Sequence, residues 1–371
     1  MKSRHVVLRA IEHAARRFHA AMLSSVGVST RRQRSRRYLA RGMRHMQKGE
    51  FFEAVVEYKA AVEEDPTDVY AVVNRGLAWL NLEDFEMARA DFDTGIQLNP
   101  ECAVAYLGRS YLSLRLQDES SARQDLTRAL SLLESSKETG AAVHSQRAYC
   151  YLSLTDYVRA ETESAAGLKL SPANVEAYSL RGQARIGLRN WEGAIADFSE
   201  AIRIGPATSE MLGCRGYASA NLGRLADARS DYEEVVRRDP TNLSAQCYLG
   251  YLIGRGDPFG ARDHYERLLA ALPEEALVKN NFAWLLSTSP EALVRDGSRA
   301  VVLATAACEL SEWKVAHYVG TLAAAFAEAG NCDRAVEMQT RACELFASDE
   351  RPSAESILAT FRAGHPHRDS G

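Results

Sequence analysis

Apolar and polar positions along this chain follow the period of an α-helix, and the pattern restarts every 34 residues over much of its length. Residues 175–208, VEAYSLRGQARIGLRNWEGAIADFSEAIRIGPAT, show it most plainly. Apolar residues recur three and four apart in two segments with a short polar turn between them, which predicts two short helices. Small residues at Gly182, Ala194 and Ala201 stand where the helices approach, and Tyr178 and Phe198 supply the bulk that fills the gap. Pro206 follows Gly205, since proline cannot continue one helix but can open the next. A unit this short cannot bury its own apolar face, so it folds by stacking on its neighbours.

The same arrangement recurs on both sides. A close-packing column reads Gly42, Gly76, Ser110, Ala148, Gly182, Gly216, Gly250, Ala283, Ala323. A small residue opens each second helix at Ala54, Ala88, Ala122, Ala160, Ala194, Ala228, Ala261, Ala300 and Ala335. Bulk recurs at Tyr58, Phe92, Leu126, Phe198, Tyr232 and Tyr265, and Pro66, Pro100, Pro172, Pro206, Pro240 and Pro273 mark the junctions. Through Gly182, Ala194, Phe198, Ala201 and Pro206 the stretch resembles a tetratricopeptide (TPR) repeat. The expected fold is all-α: a right-handed α-solenoid of about nine TPR helix pairs with N- and C-terminal capping helices. Its expected parts are a basic N-terminal amphipathic helix and linker (1–34), the repeat array (35–345), and a C-terminal capping helix with a polar tail (346–371).

Departures from the pattern locate irregularities. The third unit ends in Glu134 and is followed by extra residues 137–140. The fourth has Ser164 where an aromatic belongs, which predicts the loosest joint. The turn RGDPFG of the seventh is short, and the eighth carries extra residues within LLSTSPEALVRDGSRA, predicting a bulge. Units eight and nine resemble the closing part of many bacterial TPR proteins, through NNFAWLLSTSP, RDGSRAV, ATAACEL with Trp313, and TLAAAFAEAGNCDRAV. The tail ILATFRAGHPHR extends that likeness, which implies a bacterial origin and a capping helix over 353–363.

Two charged columns run together. The residue before the close-packing position is Arg41, Arg75, Arg109, Arg147, Arg181 and Arg215, then turns apolar at Leu249, Phe282 and Leu322. The residue before the bulky position is Glu57, Asp91, Asp125, Glu163, Asp197 and Asp231 in the same six units, then His264, Leu303 and Met338. A half-buried charge is costly unless paired, so columns that begin and end together predict a ladder of Arg–carboxylate pairs between helices. An anion-binding arginine stripe is the alternative, and six acids argue against it.

In the family the first helix of each pair lines the concave face. The resemblance places Met43, Val73, Leu77, Leu107, Tyr111, Tyr149, Tyr217, Tyr251 and Trp284 on a partner-binding groove, with inter-repeat packing as the competing role. Peptide clamps of the family grip a terminal carboxylate with Lys and Asn. Asn74 and Asn281 are in place here but the lysines are missing, so that mode of binding is not expected.

Charge and composition add one feature. Residues 1–44 hold twelve Lys/Arg and one acid, Glu12, whereas the remainder holds 33 basic and 48 acidic residues. The pattern predicts an amphipathic helix over residues 6–23, with Val7, Ile11, Ala14, Phe18 and Met22 on one face, and RRQRSRR follows at 31–37. This segment reads as a cap and linker first, as a membrane-surface helix or targeting segment second, and as a nucleic-acid contact last. No apolar run reaches the roughly 18 residues that span a bilayer. Seven scattered cysteines without a CxxC read as reduced small hydrophobes. No phosphate loop, nucleophile elbow, HExxH or dinucleotide fingerprint is present, and Cys150 and His144 are wrongly spaced for a nucleophile and its base. The expected function is a non-enzymatic, cytoplasmic scaffold that binds a protein or peptide. No cofactor, metal, nucleic acid or small-molecule substrate is expected. The alternatives are an adaptor attached to a membrane surface or directed to an organelle through 1–37, and an accessory subunit of a separate enzyme.

Overall fold

A computed structural model describes residues 30–137, 139–347 and 350–368, in which nineteen helices and no strands occur. The chain divides into two compact units between Leu222 and Gly223. The first unit holds α1 (Thr30–Lys48), α2 (Phe51–Glu64), α3 (Val69–Asn81), α4 (Phe85–Leu98), α5 (Ala103–Arg115) and α6 (Glu119–Ser135). It continues with α7 (Ala141–Ser153), α8 (Tyr157–Leu170), α9 (Val175–Gly187), α10 (Trp191–Ile204) and α11 (Ser209–Asn221). The second unit holds α12 (Leu225–Arg238), α13 (Leu243–Gly254), α14 (Pro258–Ala271) and α15 (Ala276–Thr288). It ends with α16 (Gly297–Leu310), α17 (Ala316–Glu328), α18 (Cys332–Leu345) and α19 (Arg351–Arg362). Within each unit a helix packs on its sequence neighbours, and first helices of successive pairs also touch, as α15 touches α17. This is the all-α repeat solenoid that the sequence pattern predicts.

Local chemistry sets the helix ends. Asp84, Asp118, Asp156 and Asn190 cap the second helices by accepting from the N–H of Met87, Ser121, Arg159 and Gly193. The turns before them need a left-handed residue, taken by Glu83, Gln117, Thr155 and Arg189 with φ between 57 and 64°. Glycine serves at the corresponding places Gly49 and Gly330. Within each pair, the small residue of the first helix meets the ring of the second. A Cβ at Gly182 would lie 2.8 Å from the Phe198 ring, and one at Gly250 would lie 2.6 Å from that of Tyr265. Those rings are fully buried, as are Tyr58 and Phe92.

Several details differ from the sequence pattern. The basic run 31–37 is not a linker but the opening of α1, where Ser35 is buried, Arg32 pairs with Asp65 at 3.4 Å and Arg34 with Glu64 at 3.0 Å. The helix expected at 6–23 lies outside the described residues. After the third pair, α6 runs on to Ser135, so the pair lengthens before the extra residues are reached. Ser164 does not loosen the fourth pair. It is fully buried with its hydroxyl donated to Ala160 O, and α7 and α8 close in on the smaller side chain. The insertion after α15 is pinned: Arg295 donates to the carbonyls of Ser289 and Pro290, and Val294 is buried. At the end, α19 covers α18 with Ala354, Leu358 and Phe361, and Gln339 donates to Ala354 O at 2.9 Å.

Candidate functional site

Most of the predicted groove stripe is core. Met43, Val73, Leu77, Leu107, Tyr111 and Tyr149 are buried together in one cluster of the first unit, so they present no side-chain surface to a partner. The reason is geometric. These positions sit beside the close-packing column, and in the first unit that flank faces the next helix pair. Tyr217 is half-buried and meets Trp191 edge-on at 6.0 Å. Tyr251, 38% exposed, and the half-buried Trp284 are the ones that open onto a cleft, and both lie in the second unit.

The charged columns resolve by side-chain length. Arg75 donates from Nε and Nη2 to Asp91 at 2.9 and 2.7 Å, and Arg109 does the same to Asp125 at 2.9 and 2.8 Å while Nη1 reaches Asp93 at 2.7 Å. Arg181 reaches Asp197 at 2.6 Å, and Asp197 also accepts from Arg185 at 2.8 Å. Where the acid is Glu, the contact slackens or goes elsewhere. Arg41 and Glu57 stand 4.0 Å apart, whereas Glu163 accepts from His144 at 2.7 Å and Arg147 turns to Leu133 O at 2.5 Å. The Arg147–Glu163 rung of the expected ladder is therefore replaced, because the extra methylene carries the carboxylate past its guanidinium. Arg215 Nη1 lies 3.4 Å from Ser199 Oγ in the first unit, and Asp231 is buried on α12 in the second. In the seventh pair His264 donates Nε2–H to Gln246 O at 2.9 Å, and burial holds its pKa below the ordinary imidazole value. The neighbouring Tyr265 hydroxyl donates to Cys247 O at 2.8 Å, so backbone acceptors do the work that acids do earlier.

The cleft of the second unit has a volume of about 730 Å³ and is lined by α13, α15 and the start of α17. Its walls are Tyr248, Tyr251, Trp284 and Tyr318, with Leu277, Leu285 and Val315 between them. Tyr248 is stacked on Tyr232 at 5.2 Å and 5° between planes, and the Arg255 guanidinium lies 3.3 Å from the Tyr251 hydroxyl. Asn280 lies at the floor, only 7% exposed. Its amide donates to Asn281 Oδ1 at 2.9 Å, and its own Oδ1 finds no hydrogen-bond partner among the described residues. A buried carbonyl oxygen left in this state costs about 1–3 kcal/mol, which a ligand N–H would recover. Sequence columns passed over Tyr248, which lies outside the stripe, and Tyr318, which opens the ninth pair. The spacing of Asn280 and Trp284, one helical turn apart, is the signal that links them.

Other chemistry is sparse. Among the described residues no cluster of His, Cys, Asp and Glu is arranged to hold a metal, and no helix is long and apolar enough to cross a membrane. Burial pushes the thiols up, Cys214 to about 12 and Cys247 and Cys308 to about 11, with Cys102, Cys150 and Cys343 also raised. All seven cysteines are free.

The tetratricopeptide repeat model matches residues 39–94, 146–209 and 215–276. The chain belongs to the tetratricopeptide-repeat family. Proteins of this family are generally non-enzymatic scaffolds for protein–protein interaction. Among solved structures it is similar to yeast Tom70, at 12% identity over 89% of this chain and 96% of that one, with a TM-score of 0.45. It is also similar to the type IV pilus biogenesis factor PilW, at 16% identity over 58% and 98%, with a TM-score of 0.44. A tetratricopeptide repeat protein from Parabacteroides merdae shares 18% identity over 66% and 92%, with a TM-score of 0.43. No curated protein matches the chain.

Proposed function

We propose that this protein is a non-enzymatic cytoplasmic scaffold whose second unit grips an extended peptide segment of a partner protein. The observation that carries the reading is the aromatic cleft with the orphaned Asn280 Oδ1 at its floor. An apolar partner side chain enters between Tyr248, Tyr251, Trp284 and Tyr318, and burying one contributes about 1.5–3 kcal/mol. A backbone N–H of the same segment donates to Asn280 Oδ1, which fixes the register of the chain. The rings supply area at little rotamer cost, and Tyr251 and Tyr318 keep hydroxyls for polar contacts at the rim.

The test is selection of peptides from a displayed random library on the full chain, followed by titration on variants. Selected peptides should carry an aromatic or large aliphatic residue and lose at least tenfold in affinity on Tyr251→Ala and on Asn280→Leu. Tyr111→Ala, a core change in the first unit, should lower the melting temperature and leave peptide affinity unaltered. Peptides that bind the Tyr251 and Asn280 variants as tightly as the parent would remove the cleft from the account.

A further inference from the structure

Beside Trp284, which lines the cleft, lies a corner suited to a guanidinium. Two first helices end there, α15 at Thr288 and α17 at Glu328, and a helix C-terminus carries the negative end of its dipole together with carbonyls that lack helical partners. Glu328 adds a full negative charge, with its side chain only 15% exposed. Two arginines already converge on it. Arg295, from the insertion after α15, reaches Glu328 Oε1 at 2.9 Å and caps the carbonyls of Ser289 and Pro290. The other comes from the far end of the chain: Arg368 reaches Glu328 Oε2 at 2.6 Å and donates to Ser287 O at 3.2 Å.

The route of the tail is specific. Helix α19 stops at Arg362, and Gly364 takes φ +79°, a left-handed conformation that turns the chain back. His365 N–H then donates to Thr360 O, Pro366 prevents further helix, and the tail returns to α15. His367 lies against the Trp284 ring with centroids 5.6 Å apart. His367 and Arg368 therefore place a ring on the aromatic wall of the cleft and a guanidinium in the acidic corner.

We propose that the Trp284–Ser287–Glu328 corner is a subsite for a peptide bearing a ring residue followed by arginine. The chain's own His367–Arg368 occupies it in cis, and a partner segment of the same chemistry displaces that tail. This rests on the cleft being a peptide site and names the chemistry of one end of its ligand. Arginine is the side chain that fits, because its planar fork serves a carboxylate and a carbonyl at once, which a lysine ammonium does less well. Displacement is within reach because the ion pair that holds the tail is made by an Arg368 side chain that is 36% exposed, where such pairs contribute little. A short flexible tether supplies an effective concentration in the millimolar range, enough to compete with a weak ligand and too little to exclude a better one.

The experiment uses a fluorescently labelled peptide with the sequence of residues 362–371, RAGHPHRDSG, and the full chain. Binding is read by polarisation on the parent and on the double variant His367→Ala, Arg368→Ala. The double variant should bind about tenfold more tightly than the parent, since its own tail no longer competes. Glu328→Gln added to the double variant should remove at least tenfold, and so should replacing the peptide's second arginine, the counterpart of Arg368, by alanine. A peptide that binds parent and double variant equally, or neither, overturns the proposal, as does an alanine peptide that binds like the original. A second readout uses the double variant, whose Trp284 ring is not already covered by a tail histidine: saturating unlabelled peptide should alter the tryptophan fluorescence, and adding Trp284→Phe should abolish that change. Absence of the change also overturns it. If library peptides still depend on Tyr251 and Asn280 while these results fail, only the arginine subsite falls; if those peptides fail too, the cleft reading falls with it.

Discussion

At the scale of single residues, one methylene decides whether a rung of the charged ladder closes. Asp91, Asp125 and Asp197 hold their arginines at 2.6–2.9 Å, whereas Glu57 stands 4.0 Å from Arg41. Asp197 is 2% exposed and accepts from both Arg181 and Arg185, so Asp197→Ala leaves two half-buried guanidinium groups without their shared acceptor. The expected loss is about 3 kcal/mol in urea unfolding. Glu57→Ala, with a longer contact to an exposed arginine, should cost under about 1 kcal/mol. His264 adds a pH dependence. Its neutral ring donates to Gln246 O, and burial, with Arg267 nearby, holds its folded pKa below the ordinary 6.5. The unfolded chain binds the proton more readily, so this contribution is complete above about pH 6.5 and lost as pH falls through the lower folded value. The urea midpoint of the second unit should therefore drop on acidification toward pH 5, and His264→Gln, which keeps a donor for Gln246 O, should remove that part of the slope.

At the scale of elements, the turns between paired helices carry the most readily relieved strain. Gln117 has φ 61°, in a region where a side chain meets its own backbone, and Gly49 shows that the turn accepts glycine. Gln117→Gly should raise stability by roughly 0.5–1 kcal/mol, read as an upward shift in melting temperature. The helices themselves were legible in the sequence, because the small and bulky columns recur from pair to pair. Of the proposed cleft site, only Tyr251 and Trp284 were legible. Tyr111 and Tyr149 occupy the same register as Tyr251, yet they are core, because register fixes the helix face and not whether a neighbouring pair covers it. The tail was unreadable for a related reason. A contact between residues 81 apart, such as Arg368 with Ser287, leaves no period in the sequence.

At the scale of the whole molecule, the two units on either side of Leu222 carry different side-chain chemistry. The bidentate rungs Arg75–Asp91, Arg109–Asp125 and Arg181–Asp197 lie in the first unit, and every residue lining the aromatic cleft lies between Ser244 and Tyr318 in the second. The thiols are scattered through both, and their burial has a practical corollary. Cys102, Cys150, Cys247, Cys308 and Cys343 are buried, and burial pushes the Cys214 thiol up to about 12. Cys332, half exposed at the first position of α18, remains as the point a maleimide reaches. Brief alkylation of the native chain at neutral pH should attach one dye per molecule, counted by intact mass, and Cys332→Ser should reduce that to none. The unmodified polypeptide would then already carry a single-site attachment point for a spectroscopic reporter, with no need to strip out its other sulfhydryls first.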